Sequence, residues 1–248
     1  MAKKGEKVLQ TRCKLLLSLV KAWKSLEENC DLKDKTTPGS IANLLFAKKY
    51  LVPPTVLSKI VDKACGEVDG GYSRDVSVSR RKAMVFADSG KIDHEGKYSI
   101  YGQVIQQLKD SASDMSNFRI KSTDERCYSI KFLGEGSIDA GGPFRESLTN
   151  IANELEQGTV PILLRSPNNK NEHGINRECF ILDSRSKSPS HKFMFKYFGG
   201  FLAFAFLSKS PIPFNLAPWV WKQLLLEEVT LQDLEGIDAY SSQVLKDL

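Results

Sequence analysis

Apolar positions along residues 7–28 recur every three or four places. Leu9, Cys13, Leu16, Val20, Trp23 and Leu26 fall on one side of a helix. The polar run from Asp31 to Ser40 holds Pro38-Gly39 and reads as a loop. Ser40 suits the cap of a second helix over 40–50. Pro53-Pro54 opens a third, carrying Val56, Leu57, Ile60 and Val61. The period then fails. Residues 72–97 are polar, contain Gly90 and Gly96, and are expected to form a long loop. The pattern divides the chain into a helical N-terminal extension (1–70), a linker or long loop (71–97) and a larger region (98–248).

Helical spacing returns at Tyr98 to Leu108 through Ile100, Val104 and Leu108. Tyr128 to Leu133 alternates polar and apolar residues, as a half-buried strand does. Gly134-Glu135-Gly136 interrupts it, and Ser137-Ile138-Asp139 is expected to resume it. Ala140-Gly141-Gly142-Pro143 follows. Its glycines permit a sharp turn with positive φ, and Pro143 fits the first helical position. Phe144, Leu148, Ile151 and Leu155 then keep helical spacing until Gly158, a helix-stop residue. Residues 128–158 thus read as a strand, a tight glycine turn and an amphipathic helix.

Residues 161–167 and 180–182 are short strand candidates, with an Asn-rich loop over 168–177. Residues 191–208 are apolar nearly all round, with Phe193, Phe195, Phe198, Phe201, Phe204 and Phe206, and predict a core helix. Gly199-Gly200 inside it costs about 1 kcal/mol per glycine relative to Ala; a closely packed neighbouring helix would account for the pair. Pro211 and Pro213 break the chain, and Pro218 opens a helix on which Trp219 and Trp221 face different ways. Thr230 and Asp233 resemble a capping box for a helix continuing through Leu231, Leu234, Ile237, Val244 and Leu245. The chain stops at Leu248 within that pattern, as a truncated segment would.

Composition narrows the class. The 248 residues are 41% hydrophobic and 26% charged, values of an ordinary globular protein. The net charge of +5 is a mild excess. The basic N-terminus and the Arg80-Arg81-Lys82 cluster read as solvated faces, so no nucleic-acid partner is expected. Leu15 to Val20 is too short an apolar run for a membrane span, and no signal-peptide cleavage pattern follows it. Cys13, Cys30, Cys65, Cys127 and Cys179 are scattered, with no C-x-x-C pair, which argues against a disulfide framework or zinc site. Reduced thiols fit the cytoplasm or nucleus.

Candidate chemistry is sparse. The glycine cluster at 134–142 lacks both phosphate-loop spacings, and Pro143 removes an amide that would cradle phosphate. His94, His173 and His191 lack metal-ligand spacing, so no metal or other cofactor is expected. His173 lies near Cys179 in sequence, but sequence proximity alone does not make a catalytic pair. Asp139, Arg145 and Glu146 frame the glycine turn. Glu146 favours the helix dipole, and a structural role fits all three.

One resemblance covers residues 98–248. Lys131 to Glu146, with its core Gly134-Glu135-Gly136-Ser137-Ile138-Asp139-Ala140-Gly141-Gly142-Pro143-Phe144-Arg145-Glu146, resembles the hallmark of the HECT-domain N-terminal lobe. Leu164-Arg165-Ser166-Pro167-Asn168-Asn169, Asn176 to Phe180, Phe195 to Gly199, Leu216 to Leu224 and Leu231 to Asp238 resemble later family segments in the same order. The loop wording is most similar to the giant HERC-type ligases. The resemblance implies an α+β, mainly helical lobe and a ubiquitin-protein transferase. It implies ubiquitin, a ubiquitin-conjugating enzyme and protein substrates as partners of the complete ligase. In the family, ubiquitin passes to a cysteine in a Thr-Cys motif of a C-terminal lobe and then to a substrate lysine. None of the five cysteines follows a threonine, so no catalytic residue carries over. That cysteine is expected beyond Leu248, leaving this chain inactive. Asp139, Gly141, Gly142, Pro143, Arg145 and Glu146 carry over as framework positions. The alternative is a non-catalytic interaction module derived from such a ligase.

Overall fold

The computed structural model describes residues 2–48, 52–66, 74–109, 115, 118–120, 125–135 and 141–247; the side chains of 2–8, 16, 27, 65 and 66 are not described. The chain divides into two compact units, Met1–Asp69 and Gly70–Leu248.

The first unit is helical: α1 (Ala2–Asn29), α2 (Ile41–Ala47) and α3 (Pro54–Gly66), with a 3₁₀ turn at Leu32–Thr36. Ser40 caps α2, its side chain accepting from Asn43 N at 3.0 Å. Cys30, Ala42, Leu45, Val52, Val56 and Ile60 form the core, with Trp23 and Leu26 packed on it. The predicted apolar side of α1 is used only at this end. Leu9, Cys13 and Val20 are exposed.

The second unit is mixed α and β. Its first strand, β1 (Asp75–Val78), and the helix α4 (Arg80–Asp88) occupy the segment expected to be a loop or linker. The expectation missed them because β1 has only four residues, and just Val76 and Val78 are apolar and buried. Such a strand is stable only when paired. Its partner is β2 (Ser129–Phe132), in parallel, with Val76 opposite Ile130 and Val78 opposite Phe132. Helix α5 (Ile100–Lys109) packs against β1, burying Tyr101, Val104, Ile105 and Leu108.

Two carboxylates cap α5. Asp93 is 2% exposed. It accepts from the backbone N–H groups of Lys97, Tyr98 and Ser99 at 2.8–2.9 Å and from the Ser99 hydroxyl at 2.7 Å. Glu154, on α6 (Gly142–Glu156), accepts from Ile100 N and Tyr101 N at 2.7 and 2.8 Å. These bonds satisfy amides that a helix start otherwise leaves orphaned. Hydrogen bonds hold the Asp93 carboxyl below its ordinary range despite burial. Burial, reinforced by the Asp93 charge, pushes Glu154 up to about 7.

The aromatic helix is α8 (Pro189–Leu207), preceded by β3 (Leu163–Arg165), the short α7 (Pro167–Lys170) and β4 (Phe180–Leu182). β3 and β4 pair antiparallel. Helix α7 occupies part of the expected Asn-rich loop, because Ser166 caps it through Asn169 N and Pro167 opens it. Tyr197, Phe198, Phe201 and Phe204 of α8 are buried, whereas Phe206 is 61% exposed. The chain ends in α9 (Pro218–Leu224), α10 (Leu231–Glu235) and α11 (Ala239–Lys246). One helix was expected after Thr230. Instead, the chain turns at Gly236 and Ile237, and Asp238 caps α11 through Ser241 N at 2.9 Å. At the start of α10, Asp233 accepts from Thr230 N and from its hydroxyl, each at 2.8 Å, completing the expected capping pattern. Trp221 is 43% exposed, and Trp219 packs with Ala217 and Ile237. Among the described residues no helix is long and apolar enough to cross a membrane.

Only one glycine of the α8 pair meets a close neighbour, and that neighbour is not a helix. A Cβ on Gly200 would stand 2.6 Å from Met115 Cε and 2.8 Å from the Phe118 ring; among the described residues, one on Gly199 would meet nothing within 4 Å. Gly199→Ala is expected to stabilise the fold by up to about 1 kcal/mol. Gly200→Ala is expected to destabilise it by about 1–3 kcal/mol through overpacking. Urea denaturation of the two variants distinguishes them.

Glu154 supplies a pH prediction. Its folded value lies above the ordinary 4.5, so between about 4.5 and 7 the folded chain holds a proton that the unfolded chain has lost. Stability therefore falls as pH rises through that window. Asp93 acts oppositely: its contribution is full above the ordinary 3.8 and is lost as pH falls through the lowered folded value. Glu154→Gln should flatten the slope between pH 4.5 and 7 and cost about 1–2 kcal/mol, since one amide loses its acceptor. Denaturation midpoints across pH measure both effects.

Candidate functional site

The glycine turn forms at the start of α6. Gly141 adopts φ 109°, ψ −21°, a conformation that a Cβ disfavours. Helix α6 begins at Gly142, so Pro143 stands in its first turn, one place later than expected. Gln157 ends the helix, and Gly158 follows with φ 78°. Asp139 lies outside the described residues, as does the expected resumption of the strand at 137–139.

Arg80 ties the two sides of the turn together. Its guanidinium donates to both oxygens of Glu146 on α6, with Nη2 3.1 Å from Oε2. Nη2 also lies 2.8 Å from Glu135 Oε2, in the turn after β2. The guanidinium carbon stands 3.8 Å from the centre of the Phe132 ring. Arg80 thus joins α4, β2, the following turn and α6. Sequence reading placed it in a solvated basic cluster. Glu146 is 66 positions away, and no local spacing signals that pairing. Arg145, the neighbouring framework position, does not join this clamp. It lines a cleft of about 580 Å³ with Arg126, Gly141, Gly142, Ser208 and Pro211. Two guanidinium groups and the positive end of α6 favour anions in this cleft, and Glu125 partly offsets them.

The buried thiols lack the setting of an activated nucleophile, which needs a stabilised thiolate. Burial raises the pKa values of Cys30, Cys127 and Cys179. Cys179 packs with Ala217 and Ile237, its sulfur 3.8 Å from Glu178 Oε1. Carboxylate proximity opposes ionisation, and the Glu178 side chain, not His173, is its polar neighbour. Cys13 is exposed on α1, and the Cys65 side chain lies outside the described atoms. His94 Nδ1 and His191 Nε2 are 3.2 Å apart, which is hydrogen-bond distance. Among the described residues no group of three or more His, Cys, Asp or Glu could hold a metal ion.

Part of the second unit is similar to known proteins. Residues 149–248 match the model of the HECT-domain (ubiquitin-transferase) family. Its relatives include "E3 ubiquitin-protein ligase HERC2" of Homo sapiens and of Mus musculus. Each is 35% identical over 144 residues, which is 58% of this chain. Homo sapiens "Probable E3 ubiquitin-protein ligase HECTD4" is 26% identical over 214 residues, 84% of this chain. The chain spans 3% of the length of the two HERC2 relatives and 5% of HECTD4.

Removing the Arg80 clamp should loosen the turn without unfolding the unit. The groups are partly exposed, with side chains 31% (Arg80), 41% (Glu135) and 48% (Glu146) accessible. Solvent therefore screens the ion pairs to about 0.2–1 kcal/mol; the ring contact adds about 0.5–1 kcal/mol. Arg80→Ala is expected to cost about 1–2 kcal/mol and Glu135→Gln under about 0.5 kcal/mol. Chemical denaturation gives both values. An Arg80/Glu146 double-mutant cycle should show positive coupling that weakens in high salt.

Proposed function

We propose that this chain supplies part of the N-terminal lobe of a HECT-type ubiquitin-protein ligase, with residues 98–248 as the partial HECT domain. The complete ligase transfers ubiquitin through a cysteine thioester to substrate lysines, and its partners are ubiquitin, a ubiquitin-conjugating enzyme and protein substrates. The family match over residues 149–248 is the observation that carries this reading. Residues 1–70 act as a helical extension. Asp139, Gly141, Gly142, Pro143, Arg145 and Glu146 serve as framework positions of the lobe. The complete ligase works in the cytoplasm or nucleus.

The chain by itself does not form the thioester. None of its cysteines follows a threonine, and burial disfavours ionisation of Cys30, Cys127 and Cys179. Incubation with activating enzyme, conjugating enzyme, ATP and ubiquitin should give no adduct on this chain that a thiol reductant removes. A reducible ubiquitin adduct on any of the five cysteines would overturn its inactivity. Coding sequence continuing from Leu248 into a lobe with a Thr-Cys motif would support the ligase reading. A stop codon there would make the chain a non-catalytic interaction module.

A further inference from the structure

Helix α4 splits the basic triplet at its start. Arg80 enters the clamp, while Arg81 and Lys82 line a shallow groove of about 550 Å³ along the helix. Val85, Phe86, Tyr98 and Lys91 line it too. Val85 is 61% and Tyr98 41% exposed, so the apolar surface is open to solvent. The Phe86 and Tyr98 rings stack with centroids 4.4 Å apart and planes 5° apart. The backbone of Tyr98 is fixed at both ends: its N–H donates to Asp93, and its carbonyl accepts from Gln103 Nε2 at 2.7 Å. The groove is therefore preformed, which lowers the ordering cost of binding.

Charge and shape select the occupant. Three cations border the groove, and among the described residues no carboxylate lines it. Arg81, Lys82 and Lys91 make no ion pair among the described residues. Arg81 to Ser89 spans about 12 Å at 1.5 Å per residue, room for about four residues of extended chain. The exposed apolar lining asks for an apolar side chain. Phe86 covers one face of the Tyr98 ring, and Lys82 Nζ also stands over that ring at 5.1 Å. Tyr98 therefore offers no open platform of the kind a nucleobase stacks on.

We propose that this groove docks a short acidic segment of a partner protein. An apolar side chain packs on Val85, Phe86 and Tyr98, and flanking Asp or Glu residues pair with Arg81, Lys82 and Lys91. The groove lies within the second unit and does not depend on the ligase reading.

Selection of a random dodecapeptide phage library on the whole chain, counter-selected on Val85→Asp, provides the test. Enriched peptides should carry an apolar residue flanked by acidic ones. A labelled synthetic copy should bind at least about tenfold more weakly to Lys82→Glu/Lys91→Glu and lose affinity as salt rises. An acidic residue in the first turn of α4 favours the helix, so unchanged thermal unfolding of the double variant separates lost binding from lost fold. Three results would each overturn the proposal: no enrichment beyond Val85→Asp, binding indifferent to charge reversal, or charge-dependent binding only to phosphatidylserine vesicles or to RNA.

Discussion

The second unit depends on how the free amides at the start of α5 are satisfied. Five successive backbone N–H groups, from Lys97 to Tyr101, point at two carboxylates contributed from elsewhere in the chain. Leaving even one such amide buried without an acceptor costs about 1–3 kcal/mol. Asp93 and Glu154 therefore fix where α5 begins. Because Glu154 belongs to α6, they also fix which face α5 turns to that helix. Two acids so close raise the cost of ionising Glu154, and burial adds to it. The arrangement thus exchanges some stability near neutral pH for a defined geometry.

From that anchor the remaining parts follow. α5 buries Tyr101 and Val104 in the core shared with Val76 and Ile130 of the parallel strand pair. Tyr101 reaches α8 through a hydrogen bond from its hydroxyl to Met194 O at 2.6 Å. Tyr128 ties the start of β2 to α6 through Ser147 at 2.7 Å. Asp93 also fixes the backbone of Tyr98, so the same carboxylate that starts α5 shapes one wall of the groove on α4.

Local chemistry was legible in the sequence; long-range chemistry was not. The glycine turn, Pro143, Gly158, Ser40 and the Thr230–Asp233 pair each act within about four residues, so spacing alone exposed them. β1 stayed hidden because four residues with two apolar ones carry no period, and its stability comes from β2, more than fifty positions away. The break between α10 and α11 was missed because Ile237 kept the apolar spacing across a turn. Arg80 was misplaced for a similar reason. A guanidinium reads as solvent-facing until the fold brings Phe132, Glu135 and Glu146 around it. The Gly199-Gly200 pair was half-read: a close neighbour exists for Gly200, but it is the Met115 and Phe118 side chains.

The family match begins at residue 149, inside α6, yet the interactions that position α6 come from before it. Gly141 sets its entry angle, Glu146 is held by Arg80 on α4, and Tyr128 fastens its first turns through Ser147. Glu154, within the matched segment, in turn carries the start of α5. The family-model match and the physical folding unit therefore have different boundaries. A segment cut at 149 would keep the Glu154 carboxylate but lose the amides that justify its burial. It would also lose the strand pair whose Ile130 and Phe132 share the core with Leu148 and Ile151. The compact unit begins before the matched region, and Arg80, Tyr128 and Gly141, which lie between β1 and residue 149, support α6.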